Sequence, residues 1–130
     1  MKKVPYILLF AITVITVSAC STCKVVKASP IQEIQFGYGG GVTQKVETYK
    51  LNRKGEIYKG EERITQISKK DLCDIYSQAE TLGDPFNKPS NTFSFIRIVT
   101  NEDVVYYCWD GITALPVTHM YLKLNKLLPK

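Results

Sequence analysis

Histidine is nearly missing from this 130-residue chain, where His119 stands alone. Four cysteines complete the set of soft ligands, and none has the paired spacing of a zinc site. No metal is therefore expected, and no motif asks for a cofactor. Negative charge is absent from the first 32 residues, since all 12 acids lie from Glu33 onward. The formal net charge is +5, an excess that nucleic-acid binders also carry. Its distribution speaks against them. From Ile31 onward 13 bases face 12 acids, and the signs alternate, as in Lys59-Gly60-Glu61-Glu62-Arg63 and Lys69-Lys70-Asp71. Gripping a phosphate backbone needs concentrated basic surface, so nucleic acid is not an expected partner. The alternating charges read as a solvated face.

Catalytic signatures are equally scarce. Gly37–Gly41 runs into Val42-Thr43-Gln44-Lys45-Val46, which reads as a strand, whereas a phosphate loop needs Gly-Lys-Ser/Thr opening a helix. A bulge or a close backbone approach explains these glycines better. His119 has no serine or cysteine in a recognisable nucleophile motif and reads as a helical residue at a packing edge. Asp71 and Asp74, three apart on a helix, read as complement to the helix dipole and as solvated surface. The chain is not expected to be an enzyme.

What is present begins at the N-terminus. Met1-Lys2-Lys3 is a positive leader, and Val4 to Val17 is an uncharged, mostly apolar run of 14 residues. As a helix it rises about 21 Å, short of the roughly 30 Å hydrocarbon core. It therefore reads as the apolar region of an export signal. The run ends in Val17-Ser18-Ala19-Cys20. This tetrapeptide resembles the bacterial lipobox, with valine where that family usually has leucine. Its small residues suit an extended strand in a peptidase cleft, and the thiol is the nucleophile that accepts a diacylglycerol. The resemblance implies cleavage before Cys20 by signal peptidase II. It also implies lipidation of Cys20, with acyl chains such as palmitate, and anchoring in the cell envelope. Several chains on one residue anchor stably where one holds only marginally. Ser21 stands where an aspartate would resemble the inner-membrane retention signal. The outer membrane, facing the periplasm, is the expected address.

Residues 1–19 are thus expected to form a signal peptide, 20–30 a lipidated cysteine with a flexible tether, and 31–130 one domain. If Cys20 is acylated, Cys23, Cys73 and Cys108 remain. Export permits disulfides. Cys73 and Cys108 both fall in regular structure and are a candidate pair, or else two buried thiols. Cys23, in the tether, is a candidate cross-link between two chains.

Within the domain, Ile31–Phe36, Val42–Leu51 and Glu56–Lys59 read as strands, with Asn52-Arg53-Lys54-Gly55 as a turn between the last two. Ser68 reads as the N-cap of a helix carrying Leu72, Ile75, Tyr76, Ala79 and Leu82, ended by Gly83 and Pro85. Thr92–Thr100 and Val104–Trp109 form a second hairpin. Val117, Met120, Tyr121, Leu124, Leu127 and Leu128 mark a terminal helix with Pro116 in its first turn. The expected fold class is α+β: an antiparallel sheet of about five strands, in the order β-β-β-α-β-β-α, with two helices on one face. Gly39-Gly40-Gly41-Val42-Thr43, Asn52 to Tyr58, and Asn87-Lys88-Pro89-Ser90-Asn91 resemble a pattern found in small domains of bacterial envelope lipoproteins. That resemblance implies the same topology and no particular activity.

Aromatic residues are the one surplus. Phe93, Phe95 and Arg97 share one face of their strand by period two, and Tyr107 and Trp109 share one face of the next. Phe95, Arg97, Tyr107 and Trp109 are the candidate residues for binding an envelope protein or glycan, if the helices leave them uncovered. The alternative is that these aromatics are core. The expected function is a membrane-tethered, non-enzymatic binding or inhibitor-type module. Alternatives are a structural envelope lipoprotein without specific ligand and a small hydrolase built around His119 or Asp110.

Overall fold

The computed structural model describes residues 23–111 and 115–130. The expected export signal and the expected lipidation site Cys20 lie outside the described residues. The elements are α1 (Lys24–Ala28), β1 (Ile31–Gly40), β2 (Val46–Asn52), β3 (Glu56–Lys59), β4 (Glu62–Gln66), α2 (Lys69–Ala79), β5 (Phe86–Asn87), β6 (Thr92–Thr100), β7 (Val104–Trp109) and α3 (Pro116–Lys126). The fold is α+β. The strands form one sheet in the order β4-β3-β2-β1-β6-β7-β5, antiparallel except for the β5–β7 pair.

Alternation along the central strands sorts the sheet into two faces. Ile34 and Phe36 of β1 lie opposite Ile98 and Ile96 of β6, and Val105 and Tyr107 of β7 continue the row. Leu51 and Ile57 extend it toward β3. These side chains join Leu72, Ile75, Tyr76 and Ala79 of α2 and Val117, Met120, Tyr121 and Leu124 of α3 in one buried cluster. Burial of this kind stabilises by about 25 cal/mol per Å2 of apolar surface and is the main force holding helices to sheet. Trp109 meets Tyr121 edge to face at 5.3 Å, on the same side. The Tyr107 hydroxyl donates to the Gly83 carbonyl at 2.7 Å, which satisfies the buried phenol.

Local chemistry sets the boundaries. The Ser68 hydroxyl accepts from the Asp71 amide at 3.1 Å and caps α2. Asn52 Oδ1 accepts from the amides of Lys54 and Glu56, both at 3.0 Å, closing the β2–β3 turn around Gly55 at φ 82°.

The sheet has seven strands where about five were expected, and a third helix joins the two. β4 was missed because it is a short, charged edge strand with Ile64 as its one aliphatic residue. Edge strands need no apolar alternation, since charge protects them from pairing with other chains. β5 is two residues in a proline-containing loop, held by parallel pairing to β7. β1 runs through Gly37 to Gly40, past the point where glycine was expected to interrupt it.

Three expectations about the cysteines and the tether are corrected. Cys73 pairs with Cys23, with Cα atoms 5.8 Å apart, and Cys108 is a free buried thiol. The expected Cys73–Cys108 bridge fails on sheet geometry. Cys108 lies beside Phe95 on the face opposite the helices, whereas Cys73 lies on α2. With Cys23 paired inside the chain, it does not cross-link two chains. Over its described part the tether is not free either. Val26 is buried in the core cluster, and the Arg53 guanidinium donates to the carbonyls of Val26, Ser29 (2.9 Å) and Ile31 (2.6 Å). The packed body thus includes the described residues from Cys23 to Pro30, which were expected to be tether.

Candidate functional site

The face away from the helices is built by a cross-strand match of glycines and phenylalanines. Gly37 of β1 lies opposite Phe95 of β6, and Gly39 lies opposite Phe93. A Cβ on Gly39 would stand 2.8 Å from Phe93 Cζ, and one on Gly37 would stand 3.2 Å from Phe95 Cε1. The rings therefore lie down over the glycines, covering backbone that would otherwise be bare. A Cβ at Gly37 would also sit 1.8 Å from the Glu47 carbonyl oxygen. The close backbone approach expected of this segment is what the register shows.

Phe93, Phe95 and Tyr106 then form a tilted row with centroids 6.4 and 6.1 Å apart. Arg97 ends the row, its guanidinium 5.4 Å from the centre of the Tyr106 ring and donating to Gln35 Oε1 at 3.4 Å. Such a contact is worth about 0.5–1 kcal/mol at an exposed site. Burial, with Cys108 beside it, pushes the Tyr106 phenol up to about 12.

The four candidate binding residues are not brought together. Tyr107 and Trp109 lie on the helix-covered face and are buried at 3% exposure each. Period two places them opposite Tyr106 and Cys108, and the helices chose their side because it carries Ile96 and Ile98. Phe95 shares the open face but is buried, at 5% exposure, by its neighbours. Arg97 alone of the four is exposed.

A groove of about 580 Å3 opens at the far end of the same sheet, where β1 turns into β2. Its walls include Tyr38, Lys45, Glu47, Thr92, Phe93 and Asp110. The backbone there is folded tightly: the Gly41 amide donates to the Asn91 carbonyl at 2.7 Å, and a Cβ on Gly40 (φ 90°) would stand 2.0 Å from that same oxygen. Only glycine fits at that position. Tyr38 is half exposed, Asp110 accepts from the Thr92 hydroxyl at 3.4 Å, and Glu47 pairs with Lys59 at 3.0 Å. Glu47 in turn holds the Lys59 ammonium above the usual lysine range.

The groove thus joins a tyrosine and a phenylalanine edge to two carboxylates, a lysine and several hydroxyls. It can stack on a ring and hydrogen-bond a polar ligand. His119 is not part of it and is exposed on α3. Asp71 sits in the first turn of α2 as expected of a dipole complement. Asp74 does more than meet solvent, since it pairs with Lys123 of α3 at 3.2 Å. Among the described residues no three His, Cys, Asp or Glu side chains gather as a metal site, and no helix is long and apolar enough to cross a membrane.

The sequence missed the groove because its walls come from four segments. Asn91, Asp110-Gly111 and Gly39-Gly40 each signalled a turn, but only the β1–β6–β7 register puts those turns side by side. No protein-family model and no curated protein matches the chain.

Proposed function

We propose that the protein is a lipid-anchored envelope protein whose folded domain is a non-enzymatic binding module, with the groove at the β1–β2 end as its ligand seat. The observation that carries the ligand seat is the pairing of half-exposed Tyr38 with Asp110 and Glu47 around an open groove. The anchor rests on Val17-Ser18-Ala19-Cys20 behind an export-type apolar run. The expected address is the periplasmic face of the outer membrane.

The wall chemistry favours an envelope glycan over a protein partner. The buried centres of protein interfaces are depleted in Lys, Glu, Asp and Ser, and Lys45, Glu47, Ser94 and Asp110 line this groove. A sugar polymer offers CH faces to Tyr38 and hydroxyls to the carboxylates.

The test is co-sedimentation of the purified, acylated protein with isolated cell-wall sacculi. The wild type should sediment, and Tyr38→Ala and Asp110→Asn should each lower the bound fraction several-fold. Sedimentation unchanged by both replacements, or a wild type that binds neither sacculi nor their soluble fragments, overturns the ligand seat. Mass spectrometry should find a chain beginning at acylated Cys20. A soluble, unmodified chain overturns the anchor.

A further inference from the structure

The disulfide joins Cys23 to a corner of the domain where basic residues outnumber acids. Cys73 lies on α2 three and four residues after Lys70 and Lys69, so these two lysines share its helix face, the one that meets Cys23. Cys23 leads directly into α1, which carries Lys24 and Lys27. Arg53 ties the β2–β3 turn to the end of α1, bringing Lys54 with it. Gln66 donates to the Lys54 carbonyl at 2.7 Å, and the Ile67 amide donates to the Gly55 carbonyl at 2.8 Å, which closes that turn onto the approach to α2.

Three segments far apart in sequence therefore present Lys24, Lys27, Lys54, Lys69 and Lys70 around one corner. All five are exposed, and none has an ion-pair partner among the described residues. The acids at this corner are Glu33, opposite Asn52; Glu56, held by Asn52 and paired with Arg63; Asp71, in the first turn of α2; and Asp74, paired with Lys123. Glu102 and Asp103 lie at the same end of the sheet but in the β6–β7 turn, beyond β1. The near balance of charge along the sequence thus conceals a basic corner in the fold.

We propose that this corner is a membrane-docking face that seats the five lysines on the anionic lipid surface holding the acyl chains of Cys20. The inference rests on the anchor proposed above. Two residues separate Cys20 from Cys23, so the three Cα steps between them reach at most about 11 Å. With Cys23 clamped to α2 the domain does not swing on a long leash, and the basic corner is the part that meets the headgroups. β1 runs from this corner to the groove over ten residues, roughly 30 Å of strand. Docking therefore holds the groove away from the membrane, toward the space where a wall polymer lies.

The experiment is lysine footprinting of the acylated protein in vesicles, with an amine-acylating reagent and mass spectrometry. Vesicles of phosphatidylethanolamine and phosphatidylglycerol are compared with pure phosphatidylcholine. In the anionic vesicles Lys24, Lys27, Lys54, Lys69 and Lys70 should be protected several-fold, while Lys45 in the groove and Lys88 in the loop beside Cys108 label equally in both. The Cys73→Ser variant should lose much of the difference while staying on the vesicles. Equal labelling of all lysines in the two vesicle types, on a protein shown to be acylated and bound, overturns the docking face and leaves the anchor standing.

The unacylated Cys20→Ala chain separates the two ideas. Its partition onto anionic vesicles should fall about fivefold for each of Lys24, Lys27, Lys69 and Lys70 replaced by glutamine. It should also weaken with salt. Partition indifferent to those replacements overturns the docking face by a route that does not involve lipid attachment.

Discussion

Tyr76 is the residue whose surroundings ask most of it. It is fully buried between α2 and the sheet, and its hydroxyl has no hydrogen-bond partner among the described residues. Burial pushes its phenol up to about 12, and the Arg53 charge offsets this only in part. A folded-state value above the unfolded value of about 10 means that stability is fully present below pH 10 and is lost as pH climbs from 10 to 12. Alkaline titration followed by phenolate absorbance should show unfolding in that window. Tyr76→Phe should shift it upward and hold or raise stability by about 1 kcal/mol, because it removes an unpaired buried hydroxyl. A lower melting temperature for Tyr76→Phe would mean the hydroxyl is satisfied after all. Gly37 is the complementary case, a residue defined by what it leaves out. Gly37→Ala should destabilise by about 2 kcal/mol in urea denaturation, since its Cβ meets the Glu47 carbonyl and the Phe95 ring.

Elements in this chain differ in what makes them stand. α2 has its own start signal, and Ser68→Ala should cost about 1 kcal/mol through the loss of the cap on Asp71. α1 has five residues, no side-chain cap and one buried contact, Val26. A helix so short does not persist in water alone. It stands because Arg53 gathers three carbonyls around its end. Arg53→Lys keeps the charge but loses the planar fork that reaches several acceptors at once. Hydrogen exchange should then quicken across residues 24–31 while α2 and α3 keep their protection. Uniform loss of protection would show instead that Arg53 supports the whole fold. The open face has the same character. β1 and β6 hold their register because Gly37 and Gly39 make beds for Phe95 and Phe93, a match visible only when the two strands are laid side by side.

For the molecule as a whole, the Cys23–Cys73 bridge closes a separation of 50 residues. In the chain-entropy picture a loop of that size restricts the unfolded state by about 4 kcal/mol. Reduction, or Cys73→Ser, should lower stability by up to that amount, while Cys108→Ala should act only as the loss of a buried small side chain. Thiol counting under denaturing, non-reducing conditions should find Cys108 reactive and Cys23 and Cys73 protected. Three reactive thiols in the mature, acylated chain would remove the basis for the clamped corner. A disulfide of this kind persists in an oxidising compartment, which agrees with the export proposed above.

Composition and periodicity by themselves determined the main helices, the central hairpins, the capping serine and the α+β class, because each depends on residues close together in the chain. The proposed leader and the anchor at Cys20 rest on the N-terminal apolar run and on the resemblance of Val17-Ser18-Ala19-Cys20 to a lipobox. Tertiary structure alone decided which partner Cys73 takes, which face of β7 the helices cover, and that Trp109 and Tyr107 are core while Phe93 edges a groove. It decided as well that the end of α1, the β2–β3 turn and the start of α2 meet at one corner. The physical reason is common to all of these. Alternation along a strand says which side chains share a face, but the choice of buried face, and the meeting of distant turns, follows from how much apolar surface the assembled layers can hide together.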